Sequence, residues 1–147
     1  MRKFEVVSKY KDLNIELPKR QTIGSAGYDL SCANDYSIES HQIVMISTGV
    51  KVSLNDGEVL LVFPRSSVPL KLGLILLNGV GVIDKDYYNN DVNEGEIFVP
   101  LFNMTDKTVK LNKGDRIAQG IFVNFLKAEN ETITTILRNG GFGSSGL

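Results

Sequence analysis

The sequence predicts an all-β protein folded as a single domain. Short runs rich in Val, Ile and Phe recur with Gly, Asn and Asp between them, and no run sustains a 3.6-residue period over a dozen residues. Length agrees, because 147 residues can bury a real core but are too few for two ordinary domains. Strands at this spacing, separated by turn signals, assemble as a sandwich, a barrel or a jelly roll.

Taken in order, Phe4-Glu5-Val6-Val7 opens a strand over 4–8, and Tyr28-Asp29-Leu30 a second over 28–32. Ile43-Val44-Met45-Ile46 gives 43–47, and the apolar run Val59-Leu60-Leu61-Val62-Phe63 gives 58–63. Three more strands follow at 97–102, 108–111 and 116–125. Asn55-Asp56-Gly57 and Asn112-Lys113-Gly114 are turns, since Asn and Gly tolerate the backbone angles a tight reversal needs. One short helical turn is expected after Ser67. Two segments do not read as strands: Asn78-Gly79-Val80-Gly81-Val82-Ile83-Asp84 with the polar stretch 85–95, and the tail 138–147, which has four glycines in ten residues. Such a tail costs much entropy to order and has little apolar surface to offset it, so taken alone it is expected to be mobile; the flexible C-terminal arm as a whole is expected over about 128–147.

Charge and composition exclude several classes. Hydrophobic residues make up 42% of the chain and charged ones 22%, and sixteen basic against seventeen acidic residues leave a formal charge of -1. This balance gives no bulk attraction to nucleic acid, so a bound phosphate must be held by local chemistry, which favours a small phosphorylated ligand over a polymer. The lone Cys32 has no disulfide partner, and with the lone His41 it cannot build a zinc site of nitrogen and sulfur ligands. The opening residues form no apolar signal region, and no stretch approaches the roughly 18 apolar residues of a membrane helix. A cytoplasmic protein with no membrane contact is expected.

Five segments carry chemistry. In the tail, glycines alternating with hydroxyls let backbone N–H groups converge on a phosphate; Arg138 adds a planar cation, and Phe142 a face on which a base can stack. A floppy terminus is the simpler alternative. Pro64-Arg65-Ser66-Ser67 places one cation and several donors at a strand end, which suits either a phosphate chain or a serine-capped turn. Asp29 and Asp84 stand among apolar residues; the first can hold Mg²⁺ through water and the second can orient or deprotonate a water, or each can cap a turn. In Gly114-Asp115-Arg116-Ile117-Ala118-Gln119, Gln119 can donate to a phosphate oxygen, whereas Arg116 reads first as a structural partner for a carboxylate.

In this order the segments resemble the all-β, trimeric deoxyuridine triphosphatase family. The resemblance rests on Ala26-Gly27-Tyr28-Asp29-Leu30, Arg65-Ser66-Ser67 with Lys71, Gly81-Val82-Ile83-Asp84 with Tyr87, Gly114-Asp115-Arg116-Ile117-Ala118-Gln119, and Gly141-Phe142-Gly143-Ser144-Ser145-Gly146. It implies a distorted jelly-roll or barrel-like protomer, a homotrimer with active sites between subunits, and an arm that closes over the nucleotide. It further implies hydrolysis of dUTP to dUMP and pyrophosphate by water attack at the α-phosphorus, with Mg²⁺ as cofactor. That reaction limits uracil in DNA and supplies dUMP for thymidylate synthesis. By the same resemblance Asp84 activates the water and contacts the sugar 3′-hydroxyl, Asp29 helps to hold hydrated Mg²⁺, and Tyr87 packs under the deoxyribose. Asn78 and the backbone from Gly79 to Tyr88, including Gly81, Val82 and Ile83, read the uracil edge. Arg65, Ser66, Ser67 and Gln119 contact phosphate, Phe142 stacks on the base, and Arg138, Gly143, Ser144 and Ser145 belong to the closing arm.

The chain departs from the family pattern where Tyr87 leads into Tyr88-Asn89-Asn90-Asp91-Val92-Asn93-Glu94 before Gly95. The hairpin is longer, and Tyr88 competes with Tyr87 for the sugar-facing place. Arg138 precedes Phe142 by four positions where many members have five, and Ser145 replaces a Thr. Two other functions compete with this one. A dCTP deaminase of related fold needs a glutamate near the base, and none lies between Asn78 and Asp84. A non-catalytic dUTP-sensing module would not need Asp84, Asp29 and the whole tail together.

Overall fold

The computed structural model describes residues 1–136 and 138–141. Residues 137 and 142–147, and with them the expected contributions of Phe142, Gly143, Ser144 and Ser145, lie outside the described residues.

The strands are β1 (Lys3–Val6), β2 (Tyr28–Ser31), β3 (Tyr36–Ile38), β4 (Ile43–Ser47), β5 (Val50–Ser53), β6 (Glu58–Pro64), β7 (Leu74–Leu76), β8 (Gly81–Ile83), β9 (Phe98–Asn103), β10 (Val109–Leu111) and β11 (Arg116–Asn124). Single helical turns occupy Ser8–Tyr10, Val68–Leu72 and Lys85–Tyr87. One sheet runs β2-β11-β6-β8, a second β4-β9-β7, and two further pairs are β1-β5 and β3-β10, all antiparallel. The all-β expectation holds. Each of the seven expected strands is present to within two residues at either end, and the helical turn follows Ser67 as expected.

Four short strands lie where none was expected, and β8 corrects the reading of 78–84. Three residues are too few to show alternation, and Gly81 disguises this strand further. The glycine is there for space: a Cβ on Gly81 would lie 3.1 Å from the Cβ of its rung partner Val62. The other missed strands are also three or four residues long, and tertiary pairing rather than local pattern defines them.

The core lies between the sheets. Leu30 from β2, Ile46 from β4, Leu60 from β6, Leu74 from β7, Leu101 from β9 and Ile117 from β11 are all fully buried in one cluster. Burying side chains of this size contributes roughly 1.5–3 kcal/mol each against leaving them exposed. The second sheet is apolar on its outer face as well. Rung partners Ile43, Phe102 and Ile75 share that face, as do Met45, Pro100 and Leu77, while Val99, Leu101 and Leu76 point into the core. Among the described residues, no helix is long and apolar enough to cross a membrane.

Candidate active site

Among the described residues β8 is the last strand of its sheet, with one row of its backbone N–H and C=O groups outside the ladder. Beside that edge is a cleft of about 320 Å³ lined by Val62, Leu76, Asn78, Gly81, Val82, Ile83, Asp84, Tyr87, Phe98, Pro100, Arg138 and Gly141. This volume is at the lower end of the range for small-ligand pockets, roughly 300–1,000 Å³. Apolar Val62, Leu76, Phe98 and Pro100 line it together with the polar groups of Asn78, Asp84 and Arg138. Asn78 enters from the turn after β7, where the Gly79 N–H donates to the Leu76 carbonyl at 3.0 Å.

Asp84 directly follows β8 and precedes the turn Lys85–Tyr87; its carbonyl accepts the Tyr87 N–H at 3.2 Å, and no side-chain cap bond ties up its carboxylate. That carboxylate is 45% exposed and pairs with the Arg138 guanidinium, which also reaches Asp86 at 3.3 Å. The turn carries Tyr87 into the protein, 4% exposed, where its hydroxyl donates to the Glu96 carbonyl at 2.6 Å. Burial pushes the Tyr87 phenol above its ordinary pKa, which keeps it a hydrogen-bond donor. A Cβ on Gly141 would lie 2.6 Å from the Tyr87 ring, so the arm's backbone rests on that ring. Tyr88 turns the other way: its hydroxyl donates to Glu5 at 2.7 Å, and its ring lies under the Lys51 ammonium. Of the two tyrosines, Tyr87 lines the cleft.

The remaining predicted residues gather at a second place on the same sheet. Asp29, Gln119 and Phe63 share one rung across β2, β11 and β6, with Arg65 just past the end of β6. The Asp29 carboxylate, 11% exposed, is held by Arg65 at 3.2 Å and by Arg116 at 3.2 Å. Two guanidiniums around one carboxylate leave a net positive charge, which favours an anion. Gln119 donates to the Pro64 carbonyl at 3.2 Å and presses on Gly27, where a Cβ would lie 2.3 Å from its Oε1. Ser67 precedes the helical turn but makes no side-chain cap bond, so its hydroxyl is not spent as a cap. Arg116 pairs with a carboxylate, in keeping with its structural reading.

Within one chain the two groups therefore do not line one cavity. Asp29 and Arg116 face a separate depression of about 270 Å³ with Lys19 and Gln21. Residue patterns had not pointed to Val62, Leu76, Phe98, Pro100 or Asp86; for Phe98 and Pro100 the signal was their two-residue spacing on one face of β9. Among the described residues no three His, Cys, Asp or Glu side chains converge to hold a metal ion.

The fold and these two groups define a jelly-roll-type β protein with an aromatic-walled cleft at a sheet edge and a separate anion-attracting cluster. Comparison with known proteins gives that class a family. A model of the dUTPase family matches residues 13–146. A deoxyuridine 5'-triphosphate nucleotidohydrolase of Lactococcus lactis subsp. lactis (strain IL1403) is 50% identical over 147 residues, 99% of this chain and 98% of that one. One from Helicobacter pylori (strain P12) is 38% identical over 138 residues, 91% of each chain. The crystal structure of a dUTPase from Streptococcus mutans is similar at a TM-score of 0.83 and 52% identity, covering 86% of this chain and 98% of that one. A phage phi11 dUTPase of S. aureus, in which coordination of a structural Mg(II) ion is described, shares the fold at a TM-score of 0.73 and 23% identity, over 90% and 96% of the two chains. This chain belongs to the dUTPase family.

Proposed function

We propose that this protein hydrolyses dUTP to dUMP and pyrophosphate, with residues 1–147 acting as one domain and about 128–147 as its closing arm. The observation that carries the reading is Asp84, a half-exposed carboxylate at the mouth of a cleft walled by Tyr87, Asn78 and the edge strand β8. Uracil enters against that edge, where Asn78 and the backbone of Gly81, Val82 and Ile83 supply donors and acceptors. Backbone donors and acceptors fixed in a sheet reject cytosine, and the narrow cleft rejects the thymine methyl. Tyr87 packs under the deoxyribose. Asp84 orients a water for in-line attack on the α-phosphorus and takes its proton.

The triphosphate chain carries several negative charges, and Arg65, Ser66, Ser67 and Gln119 supply donors and positive charge for it. Arg138 moves from Asp84 to the phosphates when the nucleotide binds, which frees the carboxylate for the water. Phe142, Gly143, Ser144 and Ser145 close over the base and terminal phosphates, excluding bulk water. Both Asp29 oxygens already face guanidiniums, so this residue fits a metal ion only through water, the triphosphate supplying most of the direct ligands. A Mg²⁺ ion held there would supply positive charge to offset the negative charge developing on the pyrophosphate leaving group.

A homotrimer with sites between subunits reconciles the two separated groups. The apolar outer face of β4-β9-β7 runs into the cleft through Phe98 and Pro100, so a second copy seated on it lies beside Asp84. That copy then brings its own Arg65–Gln119 cluster to the phosphates.

The test is incubation with Mg²⁺ and dUTP, dCTP, dTTP or UTP, following monophosphate, pyrophosphate and ammonia, for the native chain and Asp84→Asn. Turnover of dUTP alone is expected, falling about 10²–10⁴-fold in the variant. Ammonia from dCTP would indicate a deaminase, and dUTP binding without turnover a sensing module.

A further inference from the structure

The extended hairpin after Tyr87 is built around that residue. Asn90, 8% exposed, donates to the Tyr87 carbonyl at 2.8 Å, and its Oδ1 accepts the N–H groups of Val92 and Asn93 at 3.0 and 3.1 Å. Asn93 Oδ1 accepts the Gly95 N–H at 3.1 Å and an Asn90 amide hydrogen at 2.8 Å. A backbone N–H can only donate, which fixes the Asn93 amide with its oxygen toward Gly95 and its nitrogen toward Tyr87. The nitrogen donates to the Tyr87 phenol oxygen at 2.9 Å. The phenol thus gives its proton to the Glu96 carbonyl and accepts one from Asn93. Glu96 is itself fixed, 4% exposed, with its carboxylate accepting the Gly49 N–H at 3.0 Å and a contact from the Ser47 hydroxyl. Gly95 closes the loop at φ 86°, where a Cβ would lie 2.7 Å from the Tyr87 carbonyl oxygen.

We infer that Asn93 is a positioning residue for sugar selection: its amide holds the Tyr87 phenol so that the ring stands where a ribose 2′-hydroxyl would collide. With only the Glu96 bond, the ring can pivot about one hydrogen bond and yield to the extra oxygen. A platform that must exclude one hydroxyl works by not moving, and two hydrogen bonds at the ring's far end supply that stiffness. This inference rests on the reading of Tyr87 as the platform under the sugar.

The experiment compares kcat/KM for dUTP and UTP in the native protein, Asn93→Asp, Tyr87→Phe, their double variant and Tyr87→Leu. Asn93→Asp keeps an acceptor for Gly95 and Asn90 but has no proton to give the phenol oxygen, whose single proton can then serve only one of the Glu96 carbonyl and the new carboxylate, so the ring keeps one hydrogen bond instead of two. The dUTP preference should fall about tenfold, chiefly through a gain in UTP turnover, with the thermal midpoint lowered by no more than about 5 °C. In the Tyr87→Phe background the same change should cost no further preference, because the phenol whose second hydrogen bond it removes is gone. Should Asn93→Asp not fold, Asn93→Ser, too short to reach the phenol, carries the same expectation. A preference unchanged in the Asn93 variant, or dUTP and UTP rates falling in proportion, overturns the inference. If Tyr87→Leu keeps the native preference, the platform reading is wrong and the inference falls with it. If Tyr87→Leu loses the preference and the Asn93 variant keeps it, only the inference is lost.

Discussion

Gly27 and Gln119 meet at the foot of the anion-attracting cluster, and a methyl group at position 27 would sit 2.3 Å from the Gln119 amide oxygen and 3.2 Å from its Cβ. The far end of a glutamine can swing away, so Gly27→Ala should cost only about 1 kcal/mol of stability, the mild end of overpacking. It should also break the bond from Gln119 to the Pro64 carbonyl and remove the amide from its proposed place beside the phosphates. The expected result is a several-fold rise in KM for dUTP with a near-native melting curve, read by steady-state kinetics and calorimetry. Cys32 makes the opposite point. Burial pushes its thiol up to about 12, so it should resist alkylation of the folded protein at pH 8 and react once the chain is unfolded.

At the scale of elements, the extended hairpin is clamped to the N-terminal strands by charge. The buried Lys51 ammonium reaches Glu94 at 2.6 Å and Asn89 at 2.6 Å, while the Ser8 N–H and hydroxyl each donate to Glu94 at 3.0 Å. Lys51, and then Ser8, hold the Glu94 carboxyl below its ordinary value of 4.5. A lowered folded-state pKa means that the carboxylate stabilises the fold above the unfolded value, and that this contribution is lost as pH falls through the folded value. Glu94→Gln should therefore melt below the native protein at pH 7, and the gap should shrink steadily below about pH 4. A gap that does not change with pH would place the effect in packing rather than in the ion pair.

The whole molecule poses the question of how many chains make one site. In a mixture of two inactive variants, Asp84→Asn and Arg65→Ala, a site that draws the two groups from different subunits recovers both intact residues by chance. Co-refolding at equal amounts should restore about a quarter of native activity if assembly is random and closed. A site completed within one chain restores none. Charge on the outer face of β4-β9-β7, as in Met45→Asp, should weaken assembly and activity together, read by sedimentation and assay.

The sequence by itself determined the fold class and seven of the strands, and it supplied the residues proposed for the site. Those features are written locally, in runs such as 58–63, in Asn-Gly turns, and in the order of short motifs around Asp29, Arg65, Asp84 and Gln119. Tertiary structure alone decided the rest. It made strands of segments too short to show a period, and it turned Tyr87 inward and Tyr88 outward through contacts with Glu96 and Glu5, distant or hidden in sequence. It also set Asn93 against a phenol six residues away and split one list of motifs into two places on a sheet. The physical reason is that strand pairing and buried hydrogen bonds join residues far apart along the chain, whereas pattern and propensity report only on neighbours.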